Sequence, residues 1–393
     1  MSLSVDRRSL LALPAVGAAG LAAARLGALV PPAQAASPAI LKPTPPATFI
    51  DFGTNAEMRF SAVDPRRYLT PQPRLFVRNH TRTPQIDPAT YRLRLHGDGL
   101  RRPEGVSLGL DELRRRFRVV ELTSVHECTG NGRSFFATQQ GTPAPGTQWT
   151  LGAVGTVRWQ GVRLRDVLRW AGVRPDAVSI QAVGLDDDYI DKGENLGRVR
   201  RAFPVAKALD DALLAWGANG RPLLPDHGFP LRLVLPGWVG IASIKWLGEL
   251  EVARRELTSP WNTRWYNIGG PLTVNPVRSA WELPWEAALP AGRSVVLTGR
   301  SWSGAAPIAR VEISTDGGTT WRAARLRRDD ARSADHGNGW TRWSHVWRSP
   351  RAGRHELLAR ATDRLGRTQP DVAAANPNGY FFDAVVRHPV VVG

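Results

Sequence analysis

The stretch SVHECTGNGRSFF, residues 124–136, holds Cys128, the only cysteine among 393 residues. Three chemistries compete for that sulfur. It can be a small buried hydrophobe. It can be a nucleophile with His126 as its base, because residues two apart on a strand share a face; the sequence identifies no third, orienting group. Or its thiolate can ligate a metal. A zinc or copper site built from protein alone needs several thiolate or imidazole ligands at set spacing, and no second ligand stands at that spacing here. The metal would have to bring most of its ligands with it, as an organic cofactor does. The neighbours favour this third chemistry. Gly130 and Gly132 let the backbone approach a bulky group. Arg133 sets a permanent cation near the sulfur, which favours thiolate and attracts an anion.

The elements that must position this loop follow from periodicity. RVVELTSVHECTG reads as a strand running into the cysteine. LFVRNHTRTPQID, 75–87, is a short strand signal breaking into a polar loop. YRLRLHG, 91–97, alternates Tyr91, Leu93 and Leu95 against arginines, the pattern of a half-buried strand. Leu164, Val167, Leu168 and Ala171 recur at helical spacing, with Gly172 as the stop. PVAKALDDALLAWGANG repeats that pattern through Val205, Leu209, Leu213 and Leu214, which predicts a second helix ending at Asn219-Gly220. FPLRLVLPGWVG alternates as a strand. The proline-rich residues 37–48 read as an extended tether. From about Pro271 the character changes to short alternating runs, SVVLTGRSW, ARVEISTDGGTTWRAARL, TRWSHVW and HELLARATDRLG. The Asp316-Gly317-Gly318 turn separates two of them, and the set predicts a β-sandwich.

Composition bounds the function. Apolar residues make 42% and charged residues 22% of the chain, as in a soluble globular protein. Lys and Arg number 52 against 35 Asp and Glu, a net charge of +17. Those arginines are scattered, and the run LRRRFR at 113–118 comes with no nucleic-acid motif, so it reads as a solvated face. An anionic small molecule or an acidic partner remains. Arg7 and Arg8, the weakly apolar stretch after them and Ala33-Gln34-Ala35 together predict a twin-arginine export signal over 1–35. The apolar stretch is too short to favour a membrane span. An exported chain with one thiol forms no internal disulfide, so Cys128 is either buried and inert or protected by what it binds.

VHECTGNGRS resembles the molybdenum-ligand loop of the sulfite oxidase family, especially its bacterial sulfite dehydrogenase and sulfane dehydrogenase branch. LFVRNH, WTLGAVGTVRWQGVRLRDVL, GLDDD, DHGFPLRLVLPGWVG and ASIKWLGELEV agree in order, and ARVEISTDGGTTW resembles the family's immunoglobulin-like dimerisation domain. The resemblance implies an α+β chain: a mixed α/β molybdenum-cofactor domain over 36–270, then an all-β sandwich over 271–393. It implies molybdenum held by a molybdopterin dithiolene with Cys128 as the protein's metal ligand. By motif match, Phe76, Val77, Arg78, Asn79 and His80 wall the cofactor. Asp186, His227, Arg232, Ser243, Ile244 and Lys245 hold its pterin and phosphate end, with Arg232 and His227 suited to phosphate and Asp186 to pterin N–H groups. Arg78, Arg133, Trp149 and Tyr266 match the substrate pocket, where arginine forks suit an oxyanion such as sulfite.

One departure weakens the sulfite assignment. Family members that oxidise sulfite usually add an arginine from the C-terminal domain. The corresponding stretch reads AANPNGYFFDAV, with Asn376, Asn378 and Tyr380 where that arginine is sought; Arg367 is nearby but does not match. The resemblance implies oxygen-atom transfer to sulfite or to a carrier-bound sulfur. With no haem-binding CxxCH motif in the chain, the electrons go to a separate c-type cytochrome. A homodimer or a heteromer with a cytochrome subunit is expected. The rivals are a sulfoxide or nitrate reductase on the same scaffold and a cofactor-free polyanion-binding protein.

Overall fold

The computed structural model describes residues 39–327 and 339–393. The expected export signal over 1–35 lies outside the described residues. No helix among the described residues is long and apolar enough to cross a membrane.

The longest strand pair carries the cysteine. Val119–Glu127 runs antiparallel to Val154–Arg163, in register from Val119↔Val162 to Glu127↔Val154. The first three residues lie near solvent, whereas Leu122–Val125 are all buried, so the strand drives its C-terminal end into the interior. Cys128 N–H extends the ladder by donating to Ala153 O at 2.9 Å. The chain then turns: Asn131 N–H donates to Cys128 O, and Gly132 takes a left-handed φ of 83° ahead of the helix Arg133–Gln140. Only glycine adopts that conformation at low cost. The strand Leu213–Ala218 pairs with Val154–Arg163, and both Arg221–Pro222 and Arg232–Val234 pair with Leu213–Ala218. A second five-stranded sheet runs Arg200–Pro204, Ser179–Gly184, Leu247–Ala253, Leu93–His96, Val106–Leu108, with the third and fourth strands parallel. A short third sheet holds Phe49–Asp51, Asn55–Met58 and Val77–Arg78.

The helix Leu164–Ala171 forms as its periodicity predicts and ends at Gly172, φ 81°. The second predicted helix is corrected. It spans only Val205–Asp210, and Leu213–Ala218 is a strand with every residue buried. A strand apolar on both faces has no period to distinguish it from a buried helix. The tether over 37–48 is also corrected from residue 39 onward: Lys42 is buried, and its backbone is bonded into the domain.

From Arg278 the chain forms two further sheets. One orders Arg278–Trp281, Val295–Trp302, Thr341–Trp347 and Arg325–Leu326; the other orders Ala287–Leu289, His388–Val392, Gly353–Asp363, Ile308–Ser314 and Arg322–Ala323. Leu297, Val311, Trp343, Leu357 and Val390 share one core between them, as in a β-sandwich. A second cluster belongs to both halves of the chain. Phe135 and Phe136 pack with Trp302, Trp340 and Phe382, and the Phe136 and Phe382 rings meet edge-on at 5.1 Å. Buried beside this seam, Arg278 Nε stands 3.4 Å from Glu127 Oε1. Glu127 also accepts hydrogen bonds from Asn131 Nδ2 (2.9 Å) and Trp302 Nε1 (3.0 Å). The residue before the cysteine is thus fastened from the sandwich side.

Candidate active site: two cavities that meet at Cys128

Cys128 is 7% exposed and lines two cavities. The inner one has about 700 Å³ of empty space. Its walls include Phe76, Arg78, Asn79, His80, Asp186, His227, Arg232, Ser243, Ile244, Lys245 and Tyr266. The outer one, about 950 Å³, is lined by Arg78, Asn79, His80, Arg133, Trp149 and Tyr266, among others. Of the fifteen residues that the resemblance assigns to the site, only Val77 lines neither. Its side chain is buried, and it pairs with Ala56 in the short sheet. It serves by setting Phe76 and Arg78 on either side of it.

The inner cavity sets Arg78, Arg232 and Lys245 against Asp186 and Asp226. Arg232 is fully buried and donates to His227 O (3.0 Å), Ser243 O (3.0 Å) and His126 Nε2 (3.2 Å). None of these partners is a carboxylate, and burial lowers its pKa to about 9. Lys245 Nζ donates to Asp226 O at 2.9 Å and to Asn79 Oδ1. Burial, reinforced by Arg232, holds its pKa well below the ordinary lysine value, against the pull of Asp226 and Asp186. An anion in the cavity would relieve both groups. Facing them, Asp186 is 3% exposed and its Oδ1 has no hydrogen-bond partner; burial raises its pKa to about 6. Thr129 Oγ1, 1% exposed, is likewise unpaired. Buried polar atoms are ordinarily satisfied. Two orphans and two strained cations around one cavity therefore fit a polar guest that carries both an anion and N–H donors, as a pterin phosphate does.

His227 departs from the phosphate role expected of it. Burial, then Lys42, keep it neutral, and its Nε2 lies 3.0 Å from Gln72 O. The Nε2 proton is spent on that carbonyl, which leaves Nδ1 as an acceptor. Donation to a phosphate from His227 requires the protonated ring, so Arg232 and Lys245 are the better donors. His126 is also placed otherwise than a nucleophile's base would be. Its Nε2 accepts from Arg232, its ring stacks on Phe76 at 5.6 Å, and burial and Arg232 hold its pKa well down.

The outer chamber is aromatic and cationic. Arg78 donates to Tyr266 Oη (3.3 Å) and His80 Nε2 (3.0 Å). Arg133 donates to Asn378 O (2.9 Å) and Thr147 O (2.7 Å). Gly130 makes room for it: a Cβ there would lie 2.6 Å from its guanidinium. Trp149, 1% exposed, meets Phe52 and Phe76 edge-on. Among the described residues no Asp or Glu lines the chamber. Burial raises the Cys128 pKa, and Arg78 and then Arg133 oppose that rise.

The stretch searched for the missing arginine does reach the chamber. Asn378 and Tyr380 line it. Tyr380 stacks on Tyr266 at 5.0 Å, with the planes 14° apart, and the Arg133 guanidinium lies 5.4 Å from its ring. Asn376 points elsewhere and bonds both backbone groups of Tyr380. Arg367 is bound to Asp363 at 3.3 Å and lines a different pocket. Among the wall residues not singled out from sequence are Thr129 and Asp226 inside, and Tyr189 and Trp265 outside. Thr129 lies inside VHECTGNGRS and Asp226 opens DHGFPLRLVLPGWVG, so adjacency signals both, whereas Tyr189 and Trp265 lie in no such motif.

A family model described as "Oxidoreductase molybdopterin binding domain" matches residues 80–261, and one described as "Mo-co oxidoreductase dimerisation domain" matches 276–390. These matches and the cavity's donor set define the class: a molybdopterin oxidoreductase. Sulfite oxidase of Gallus gallus is 36% identical over 346 residues, covering 81% of this chain and 73% of that protein. Mitochondrial sulfite oxidase of Mus musculus is 35% identical, covering 81% of this chain and 61% of its own length. Nitrate reductase of Hordeum vulgare, at 31%, covers 77% of this chain and 37% of that protein. The crystal structure of sulfane dehydrogenase SoxCD from Paracoccus pantotrophus superposes with a TM-score of 0.71 at 27% identity, covering 87% of this chain and 84% of that one. The chain belongs to the sulfite oxidase family. It spans less than two thirds of the mouse enzyme.

Proposed function

We propose that this chain is an exported molybdenum enzyme that oxidises sulfite, or a related sulfur compound held on a carrier, and passes the electrons to a c-type cytochrome. The carrying observation is that Cys128 lines both an inner cavity holding Arg232 and Lys245 and an outer chamber where, among the described residues, two arginines stand with no carboxylate. When bound, the molybdenum–pterin group supplies two-electron oxygen-atom transfer. The protein's own part is positioning and electrostatics. Cys128 Sγ ligates the metal. Arg232 and Lys245 hold the phosphate, and the free Oδ1 of Asp186 takes pterin N–H groups. Arg78 and Arg133 draw the sulfur oxyanion in. Arg78 also fixes the Tyr266 hydroxyl, which can then donate toward the reacting oxygen. Trp149 and the Tyr266–Tyr380 stack wall the chamber against water.

Tyr380 and Asn378 in place of an arginine make the chamber less cationic than a dedicated sulfite site. Together with the likeness to a sulfane dehydrogenase, that favours a bulkier sulfur substrate, with a cytochrome-bearing partner. The immunoglobulin-like reading of the sandwich, a dimer formed through it and a boundary near Pro271 belong to the same proposal. The test is acceptor reduction by natively produced protein with sulfite and thiosulfate as donors, set against nitrate and sulfoxide reduction with a reduced dye. Sulfur-dependent reduction of the acceptor, with molybdenum near one atom per chain, is expected. Turnover with nitrate or sulfoxide alone would make the chain a reductase, and protein without molybdenum would make it a binder.

A further inference from the structure

We propose that the segment 39–46 is a strap that holds the inner cavity closed around its cofactor, with Lys42 as the positioning residue. Two walls of that cavity come from distant parts of the chain, residues 76–80 and 226–232; the strap is bonded to the second directly and to the residues just ahead of the first. The N–H groups of Leu41 (2.9 Å) and Lys42 (2.7 Å) donate to the two carboxylate oxygens of Asp226. Asp226 is fully buried and lines the cavity. In the other direction, Lys42 Nζ donates to Pro73 O (3.1 Å) and to Leu75 O, the residue before Phe76.

A chain of hydrogen bonds, buried at Thr83, continues from the strap to Lys245. Ala39 O accepts from Thr83 N–H (3.0 Å). Thr83 Oγ1 donates to Asp226 Oδ1 (2.6 Å) and accepts from Asn79 Nδ2 (2.9 Å). Asn79 Oδ1 and Asp226 O both receive Lys245 Nζ. The strap thus cross-links the residues that orient Lys245, and a guest bound to Lys245 leaves only when those walls part. Coupling of this kind is reciprocal: a strap that retains the cofactor is itself held more firmly when the cofactor is present.

The variant Lys42→Met keeps the buried stem and removes the donor to both carbonyls, and Thr83→Val cuts the link between Asp226 and Asn79. Holoprotein is warmed below its melting transition, and molybdenum and pterin remaining per chain are followed after gel filtration. K42M should release both about tenfold faster than the parent, equivalent to about 1.4 kcal/mol, with T83V intermediate and far-UV spectra unchanged. In the parent, thermolysin cleavage before Ile40 or Leu41 should be about tenfold slower in holoprotein than in apoprotein. Equal release rates for K42M and the parent would overturn the proposal. If K42M does not fold, release from T83V at the parent's rate, or equal cleavage of holo- and apoprotein, overturns it instead.

Discussion

The Glu127–Arg278 pair offers a quantitative test of how the cysteine loop is held. Both side chains are at most 3% exposed. Burial pushes the Glu127 carboxyl up, and Arg278, Asn131 and Trp302 oppose that rise. Arg278→Met leaves a buried carboxylate with two neutral donors and no cation. Removing one member of such a pair costs about 3–5 kcal/mol. Glu127→Gln strands the arginine, at a cost of the same order. Removing both charges leaves neither uncompensated, so E127Q/R278M should cost less than the sum of the singles by about 2 kcal/mol or more. Urea unfolding followed by tryptophan fluorescence, to which all fifteen tryptophans contribute, reads the global stability. With a slope of about 3 kcal/mol/M, each single variant should lower the midpoint by about 1–1.7 M. The R278M deficit should shrink at low pH. Without its cation Glu127 takes a proton more readily, so stability is lost as pH rises through its raised pKa. Additive costs in the double variant, or an R278M midpoint within error of the parent, would refute the pair's role.

Cys128→Ser should abolish turnover and strip molybdenum while leaving the melting temperature of the apoprotein close to the parent's; measurable activity with bound metal would contradict the ligand assignment. Gly130→Ala puts a Cβ 2.6 Å from the Arg133 guanidinium, so Arg133 must swing away. KM for an anionic substrate should rise about tenfold with kcat less affected, and steady-state kinetics decide it. Lys42 has its pKa lowered to about 7, by burial against the pull of Asp226 and with a smaller push from Arg74. Between about 7 and its ordinary 10.5 the unfolded chain holds the extra proton, so the group's stabilising contribution grows with pH. In urea titrations of the apoproteins, the parent's advantage over K42M should widen by at most roughly 2 kcal/mol from about pH 7 to 9; a constant gap would show that the ammonium is not desolvated.

The cysteine loop was legible because its parts are local. A strand, two glycines, a cysteine and an arginine lie within one short stretch, and their geometry follows from backbone sterics. The helix at Leu164–Ala171 was legible for the same reason, its period and its stop both being written in neighbouring residues. What stayed hidden depends on partners far along the chain. Lys42 looks like part of a proline-rich linker until Asp226, 184 residues away, accepts its N–H. Leu213–Ala218 looks helical because both its faces are apolar, and only the strands on either side of it select the extended form. His227 was matched to phosphate by motif, and the carbonyl of Gln72 that takes its proton is 155 positions distant.

The stacked pair of Tyr266 and Tyr380 joins the end of one half of the chain to the tail of the other. The residues proposed to hold the cofactor all lie in the first half, whereas the wall of the outer chamber is completed by Asn378 and Tyr380. The turn that carries them is tied directly to the cysteine loop, since Phe381 N–H donates to Thr129 O at 3.1 Å and Asn378 O accepts from Arg133, so a change in the turn is felt beside Cys128 as well as at the rim. In this architecture the rim and the sulfur ligand's loop answer to one another through a single short segment.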